Sequence, residues 1–213
     1  MQAQDSLLTH QELEHKIVVN AKELFLKIGI RSVTMEDVSR SLGISKKTIY
    51  SVFTNKAALV HSCVFDDIKS RREEINKIFN ANHNAIEEMI YMSINVSQLL
   101  KNIAISVIYD LQKFFPDTWQ LLLDYKLQFI REHIVMNLHK GMKDNLYRSN
   151  LDVEMISRLY IANADNIFNS QVFPVTDFDP VTTYTALIKY HLYAITTEKG
   201  KEILERSYKK IEV

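Results

Sequence analysis

The chain has 213 residues but only one cysteine, four glycines and three prolines, and its formal net charge is zero. A lone Cys63 excludes an intrachain disulfide and a cysteine-built metal cluster, and fits a reducing cytosol. Gly29, Gly43, Gly141 and Gly200 are too scattered to form a glycine-rich phosphate loop. Zero net charge excludes a protein that coats any polyanion it meets, because that behaviour needs a large excess of lysine and arginine. No apolar run approaches the length needed to span a bilayer, and the polar N-terminus has no basic segment leading into an apolar one. Neither a nucleophile elbow nor an HExxH pattern occurs. The seven histidines (His10, His15, His61, His83, His133, His139, His191) include no i, i+4 pair that would set two ligands on one helical face. Adjacent carboxylates such as Glu87 and Glu88 splay apart on a helix. These absences argue against an enzyme, a structural metal or a resident cofactor.

What is present is helical periodicity over most of the chain, with 46% hydrophobic residues to build a core. The expected fold class is all-α. The most informative stretch runs from Thr34 to Lys56. Met35, Val38 and Leu42 recur at i, i+3 and i+7 and so line one helical stripe, with Thr34 as N-cap and Glu36 and Asp37 in the first turn, where the helix dipole favours negative charge. Gly43 can take the left-handed conformation that ends this helix, and Ser45 is placed to cap the next. Ile44, Ile49, Val52 and Phe53 form the apolar face of that second helix. Lys46, Lys47, Thr48, Tyr50 and Ser51 are left on its outer and N-terminal surface. Lysines meet phosphates and hydroxyls meet phosphates or base edges, so this is the pattern of a helix laid in the major groove.

Upstream, Ile17, Ala21, Leu24, Phe25 and Ile28 describe a bracing helix that Gly29 can end. Downstream, Asn55 can cap a helix that puts the Lys56 ammonium near a phosphate. Charge follows the same map, since Arg31 to Lys56 holds five basic residues (Arg31, Arg40, Lys46, Lys47, Lys56) against two acidic ones (Glu36, Asp37). The expected DNA contacts are Thr34, Ser45, Lys46, Lys47, Thr48, Tyr50, Ser51 and Lys56. A second reading of the same surface is a docking face for an acidic protein partner, which selection from random duplex DNA would separate from the first. A third keeps DNA binding but leaves the rest of the chain only to dimerise.

From about His15 to Phe65 the sequence resembles the TetR family of bacterial transcriptional regulators. The landmarks are Ala21, Leu24, Phe25, Gly29, Thr34, Val38, Leu42, Gly43, Ser45, Ile49, Tyr50, Phe53, Lys56 and Leu59. The chain departs from the family at Lys46 and Lys47, where a small residue or glycine usually follows the capping serine. The resemblance implies a three-helix DNA-binding head over residues 1–56 and a helical ligand-binding and dimerisation body over 57–213. It also implies a small-molecule effector that releases a repressor from DNA.

For the body, the periodicity predicts helices at about Asn55 to Asn80, Asn84 to Lys101, Asn102 to Phe115, Asp117 to Asp144, Asp152 to Val172, Pro180 to Thr197 and Lys199 to Lys209. Cys63, in the apolar run Leu59 to Phe65, is expected to be a small buried hydrophobe. Aromatic and polar residues on the central helices are candidates for the cavity that the resemblance implies: Tyr91, Asn95, Gln98, Ser106, Tyr109, Asp110, Trp119, Tyr125 and Phe129. Polar groups buried there need partners, which neighbouring helices, water or a ligand can supply. Wide apolar stripes on the last two long helices suggest a four-helix bundle made by two copies, with Ile156, Leu159, Asn163, Ile167, Tyr184, Leu187, Ile188, His191 and Ile195 at the interface. Two copies would present two heads to a palindromic operator.

Overall fold

The structure is a computed structural model and describes residues 9–174 and 176–211. Among these are eleven α-helices and no strand: α1 (His10–Ile28), α2 (Met35–Leu42), α3 (Lys46–Val52), α4 (Lys56–Asn80), α5 (Ala85–Asn102), α6 (Ile105–Phe114), α7 (Pro116–Asp124), α8 (Arg131–Lys143), α9 (Val153–Asn166), α10 (Pro180–Ile195) and α11 (Glu198–Ile211). The chain is therefore all-α, as its periodicity predicts. None of the described helices is long and apolar enough to cross a membrane.

The chain divides into two compact units. One, the head, comprises the chain up to Lys69 together with Ile103–Leu122; the other, the body, comprises Ser70–Asn102 and the chain from Leu123 onward. This division differs from the expected boundary at residues 56 and 57. The first 14 residues of α4 and the α6–α7 segment cluster with the DNA-reading helices, because Leu59, Val60, Cys63, Val107 and Leu111 are buried in one core with Ile17, Ala21, Phe25, Val38 and Ile49. Periodicity reveals that a stripe must be buried and leaves open which helix buries it.

In the body, α5 packs against α8, α10 and α11, and α9 packs against α8 and α10. Ile86, Met89, Ile134, Leu138, Ile188 and Leu192 are fully buried there. A closed polar network runs through this core. The Asn137 amide donates to the Ala85 carbonyl and to Glu88, Lys140 donates to the other Glu88 oxygen, and the Tyr147 hydroxyl shares its one proton between the Ala85 carbonyl and Asn137 Oδ1, each at 3.0 Å. Each member is satisfied, which is what a buried carboxylate requires.

Three expected boundaries shift. The helix expected from Asp117 to Asp144 is three successive elements over Pro116–Lys143, the middle one π-helical over Tyr125–Ile130, with right-handed helical backbone at Asp124 and Arg131. The helix expected over Asp152 to Val172 stops at Asn166. There the Asn169 side chain bonds to the Asn166 side chain and to the Gln171 N–H, drawing the backbone into turns. The helix expected to begin at Asn102 begins at Ile105, after a break in which the Ala104 N–H donates to the Leu26 carbonyl at 2.9 Å.

Candidate nucleic-acid interface

The two reading helices are fixed at each end by the residues that the sequence marks. Thr34 and Asp37 form a reciprocal capping box at the start of α2, each side chain accepting the other's N–H. Gly43 is left-handed at φ +66°, and the Ile44 N–H then reaches back to the Ser39 carbonyl at 3.0 Å. Ser45 caps α3 by accepting the Thr48 N–H, and Asn55 caps α4 by accepting the Ala58 N–H. The turn is tight because both ends are hydrogen-bonded locally.

Ile49 is completely buried and Phe53 nearly so, and this sets the rotation of α3. Lys47, Tyr50 and Ser51, at i, i+3 and i+4, therefore share the opposite, exposed face. Tyr50 is 50% exposed, which a core aromatic would not be. Ser45 and Thr48 have their hydroxyls 2.8 Å apart at the helix N-terminus, and the Ser51 hydroxyl donates to the Thr48 carbonyl.

Lys46 and Lys56 are tethered in ways that the sequence did not suggest. Lys46 Nζ lies 2.7 Å from Glu36, whose carboxyl is held below its ordinary range chiefly by the hydrogen bond and charge of Lys46. Lys56 donates to the Arg31 carbonyl at 3.3 Å, and partial burial pushes its pKa down against the opposing pull of Asp110 and Asp37. Thr34 stands at the start of α2, Ser45, Lys46 and Thr48 at the start of α3, and Lys56 at the start of α4, while Lys47, Tyr50 and Ser51 stand on the outer face of α3. The eight expected contacts thus fall on three helix starts and one helix face within the head.

The nine residues expected to line a cavity do not share one unit. Ser106, Tyr109, Asp110 and Trp119 belong to the head; Tyr91, Asn95, Gln98, Tyr125 and Phe129 belong to the body. In the head, Asp110 is buried and accepts the Arg31 N–H, Tyr109 is exposed and accepts from Lys113, and Trp119 packs on the core. In the body, Asn95 donates to Glu74, and Tyr91 is exposed beside the His83 ring. Gln98 accepts from Asn102 through its backbone carbonyl. Tyr125 and Phe129 stack at 5.6 Å, with the Arg72 guanidinium 4.7 Å from the centre of the Phe129 ring.

The stripe expected between two copies splits into two edges. Tyr184, Ile188, Ile195 and Ile167 are buried within the single chain, His191 is mostly buried against the Tyr160 ring, and Tyr160 and Tyr184 meet hydroxyl to hydroxyl at 3.1 Å. Their surface is not open to a second copy. The outward edge carries Leu159 and Asn163, with Met155 on the same helix and Tyr190, 76% exposed, on α10; Ile156 and Leu187 are half-buried beside them.

A glycine turn between two capped helices, the second displaying lysine, tyrosine and serine outward, defines a helix-turn-helix DNA-binding domain of a transcriptional regulator. Residues 17–63 match the model of the family of bacterial regulatory proteins, tetR family. The helix-turn-helix-type transcriptional regulator YvaF of Bacillus subtilis is 26% identical over 162 residues, covering 75% of this chain and 83% of that protein. Among solved structures, a TetR-family regulator from Agrobacterium tumefaciens is similar over 89% of this chain and all of its own, at 16% identity and a TM-score of 0.70. A regulator from Saccharomonospora viridis in complex with choline is similar over 88% of this chain and all of its own, at 16% identity and a TM-score of 0.71. FadR from Bacillus subtilis in complex with stearoyl-CoA is similar over 84% of this chain and 97% of its own, at 18% identity and a TM-score of 0.65. At those identities the structural likeness concerns the fold. Over residues 17–63 the chain thus carries a helix-turn-helix domain of the TetR type, and beyond it the chain is similar to transcriptional regulators in sequence and in fold.

Proposed function

We propose that the protein is a dimeric repressor that binds a palindromic operator in the cytoplasm and leaves it when a small molecule occupies the body. The observation that carries the DNA-binding part is the face of α3. Lys47, Tyr50 and Ser51 point outward from a helix whose rotation is locked by buried Ile49 and Phe53 and whose start is capped by Ser45. Lys47 supplies phosphate charge and Tyr50 and Ser51 reach base edges, while Thr34, Lys46, Thr48 and Lys56 meet the backbone on either side.

Dimerisation is supported by the outward edge of α9 and α10, where Met155, Leu159 and Tyr190 are exposed large hydrophobic side chains at helical spacing. An effector is supported by ligand-bound relatives, one with choline and one with stearoyl-CoA. Within the body, the stacked Tyr125 and Phe129 with Arg72 above them lie on the π-helical segment, and irregularity of that kind is often found at functional sites. Release requires the effector to bind the DNA-incompetent arrangement more tightly than the competent one.

The test is a titration of a fluorescent duplex selected by the protein, with the mass of the complex measured alongside. Two chains per inverted repeat, and loss of the complex on adding one member of a small-molecule panel that also raises the melting temperature, are the expected results. One chain per duplex, or a panel that raises the melting temperature while leaving the DNA complex intact, would contradict dimeric binding or effector release respectively.

A further inference from the structure

Arg31, in the corner between α1 and α2, is gripped by a helix more than seventy positions further along the chain. Its N–H donates to Oδ2 of Asp110 at 2.8 Å, and Asp110 is only 5% exposed. Its guanidinium lies 4.7 Å from the centre of the Phe114 ring, one helical turn beyond Asp110 on α6. Gly29, at φ +88°, lets α6 come this close: a Cβ on Gly29 would stand 2.8 Å from the Ser106 hydroxyl. The Ala104 N–H bonded to the Leu26 carbonyl closes the same joint from the other side. The carbonyl oxygen of Arg31, one peptide along from the N–H that Asp110 holds, accepts the Lys56 ammonium at 3.3 Å.

We propose that Asp110 is a positioning residue for DNA binding: it fixes the Ile30–Arg31 peptide and through it the adjoining one, whose carbonyl oxygen, that of Arg31, holds the Lys56 ammonium at the start of α4, where a phosphate meets it. This rests on the DNA-binding reading above and extends it to a residue of α6. A lysine ammonium on a flexible four-carbon stem gains from being held in place before the phosphate arrives. Asp110 acts through Arg31 and Lys56 and does not touch DNA. The carboxylate is suited to the task, since a buried oxygen accepting a backbone N–H holds that peptide plane in one orientation. Attraction between Asp110 and Lys56 acts in the same direction and opposes the downward pull of burial on the ammonium's pKa.

A double-mutant cycle tests this with the full-length protein and a duplex that the wild type binds. Lys56→Ala lowers the salt slope of binding by about one. Asp110→Ala removes the acceptor of the Arg31 N–H, and Asp110→Asn, which keeps the shape and an acceptor oxygen, is expected to restore part of what Asp110→Ala loses. Asp110→Ala is expected to weaken binding by about threefold or more, to reduce the salt slope towards that of Lys56→Ala, and to add less than about twofold in the Lys56→Ala background. A wild-type slope in Asp110→Ala, or a loss that multiplies independently of Lys56→Ala, overturns the proposal. If circular dichroism shows that Asp110→Ala does not fold, NMR of the wild type decides: slow exchange of the Arg31 amide proton and a shift of the Lys56 side-chain signals on adding duplex support the proposal. A rapidly exchanging Arg31 amide, or Lys56 signals unmoved by saturating duplex, overturns it. A wild type that binds no duplex removes the DNA-binding reading itself, an outcome distinct from either of these.

Discussion

Nζ of Lys46, the first residue of the recognition helix, stands 2.7 Å from Oε2 of Glu36, the second residue of the helix before it. Arg40 approaches the same carboxylate at 3.6 Å. A carboxylate thus sits among the cations of a surface that binds a polyanion. Glu36 neutralises part of the charge that would otherwise attract any duplex.

Glu36→Gln releases Lys46 and removes a negative charge from this surface. Affinity for unrelated duplexes is expected to rise and the salt slope to steepen by up to about one, with the melting temperature unchanged because the pair is exposed. Fluorescence anisotropy with matched and scrambled duplexes reads both quantities. Lys47 has no such tether among the described residues, so Lys47→Ala is expected to weaken binding more than Lys46→Ala does.

The turn and its caps are a stability device. Ser45→Ala removes the acceptor for the Thr48 N–H and is expected to cost about 1 kcal/mol. Gly43→Ala meets no atom within 4 Å and is strained only by its left-handed backbone, at about 1 kcal/mol. Gly29→Ala adds the encounter with Ser106 to a positive φ, and its melting temperature is expected to fall further than that of Gly43→Ala. Thermal unfolding of the three variants ranks them. An equal fall for the two glycine variants would mean that α6 yields at no cost.

The head was legible in the sequence because its signals are local. Thr34, Gly43, Ser45 and Asn55 each act on residues within four positions, so a capping hydrogen bond can be read from spacing alone. The pairings of Lys46 with Glu36 and of Arg31 with Asp110 join residues far apart in the chain, and no periodicity encodes them. Asp110 stood out as a polar residue on an apolar helix, which signalled that it needed a partner and not which one. The split of the α9 and α10 stripes into a buried and an outward edge was hidden for a similar reason. Ile188 and Leu187 are equally apolar in the sequence, and only packing distinguishes them. The π-helical segment over Tyr125–Ile130 has no proline or glycine to announce it.

Cys63 is expected to be chemically silent. Its thiol is buried, its Sγ lies 3.6 Å from the Val18 carbonyl, and burial pushes its pKa up to about 12. Thiol-specific reagents are expected to label the native protein at pH 8 far more slowly than the unfolded chain. The raised pKa favours the folded state while the thiol is protonated, so that contribution is present below the ordinary thiol pKa and fades as pH rises towards about 12. Labelling as fast as that of a free thiol would show that the head opens readily.

His191 gives the body an acid-sensitive component. Burial lowers its pKa from 6.5 to about 4, and its Nε2 is buried with no hydrogen-bond partner among the described residues. The folded state therefore favours the neutral ring. This stability is intact above about pH 6.5, declines as the unfolded chain takes up a proton that the folded chain refuses, and is gone below about pH 4. His191→Phe is expected to flatten the fall in melting temperature between those limits relative to the wild type. Identical profiles would mean that the ring is solvated.

Selection from a pool of random duplex DNA, at low ionic strength and without small molecules, tests the central claim most directly, because it reads DNA recognition and two-fold symmetry in one experiment. The expected result is enrichment of an inverted repeat whose half-sites lie about one helical turn, or a multiple of it, apart, with the enrichment abolished by Lys47→Ala. Recovery of a pool with no enriched sequence would contradict the assignment of α3 as a DNA-reading helix.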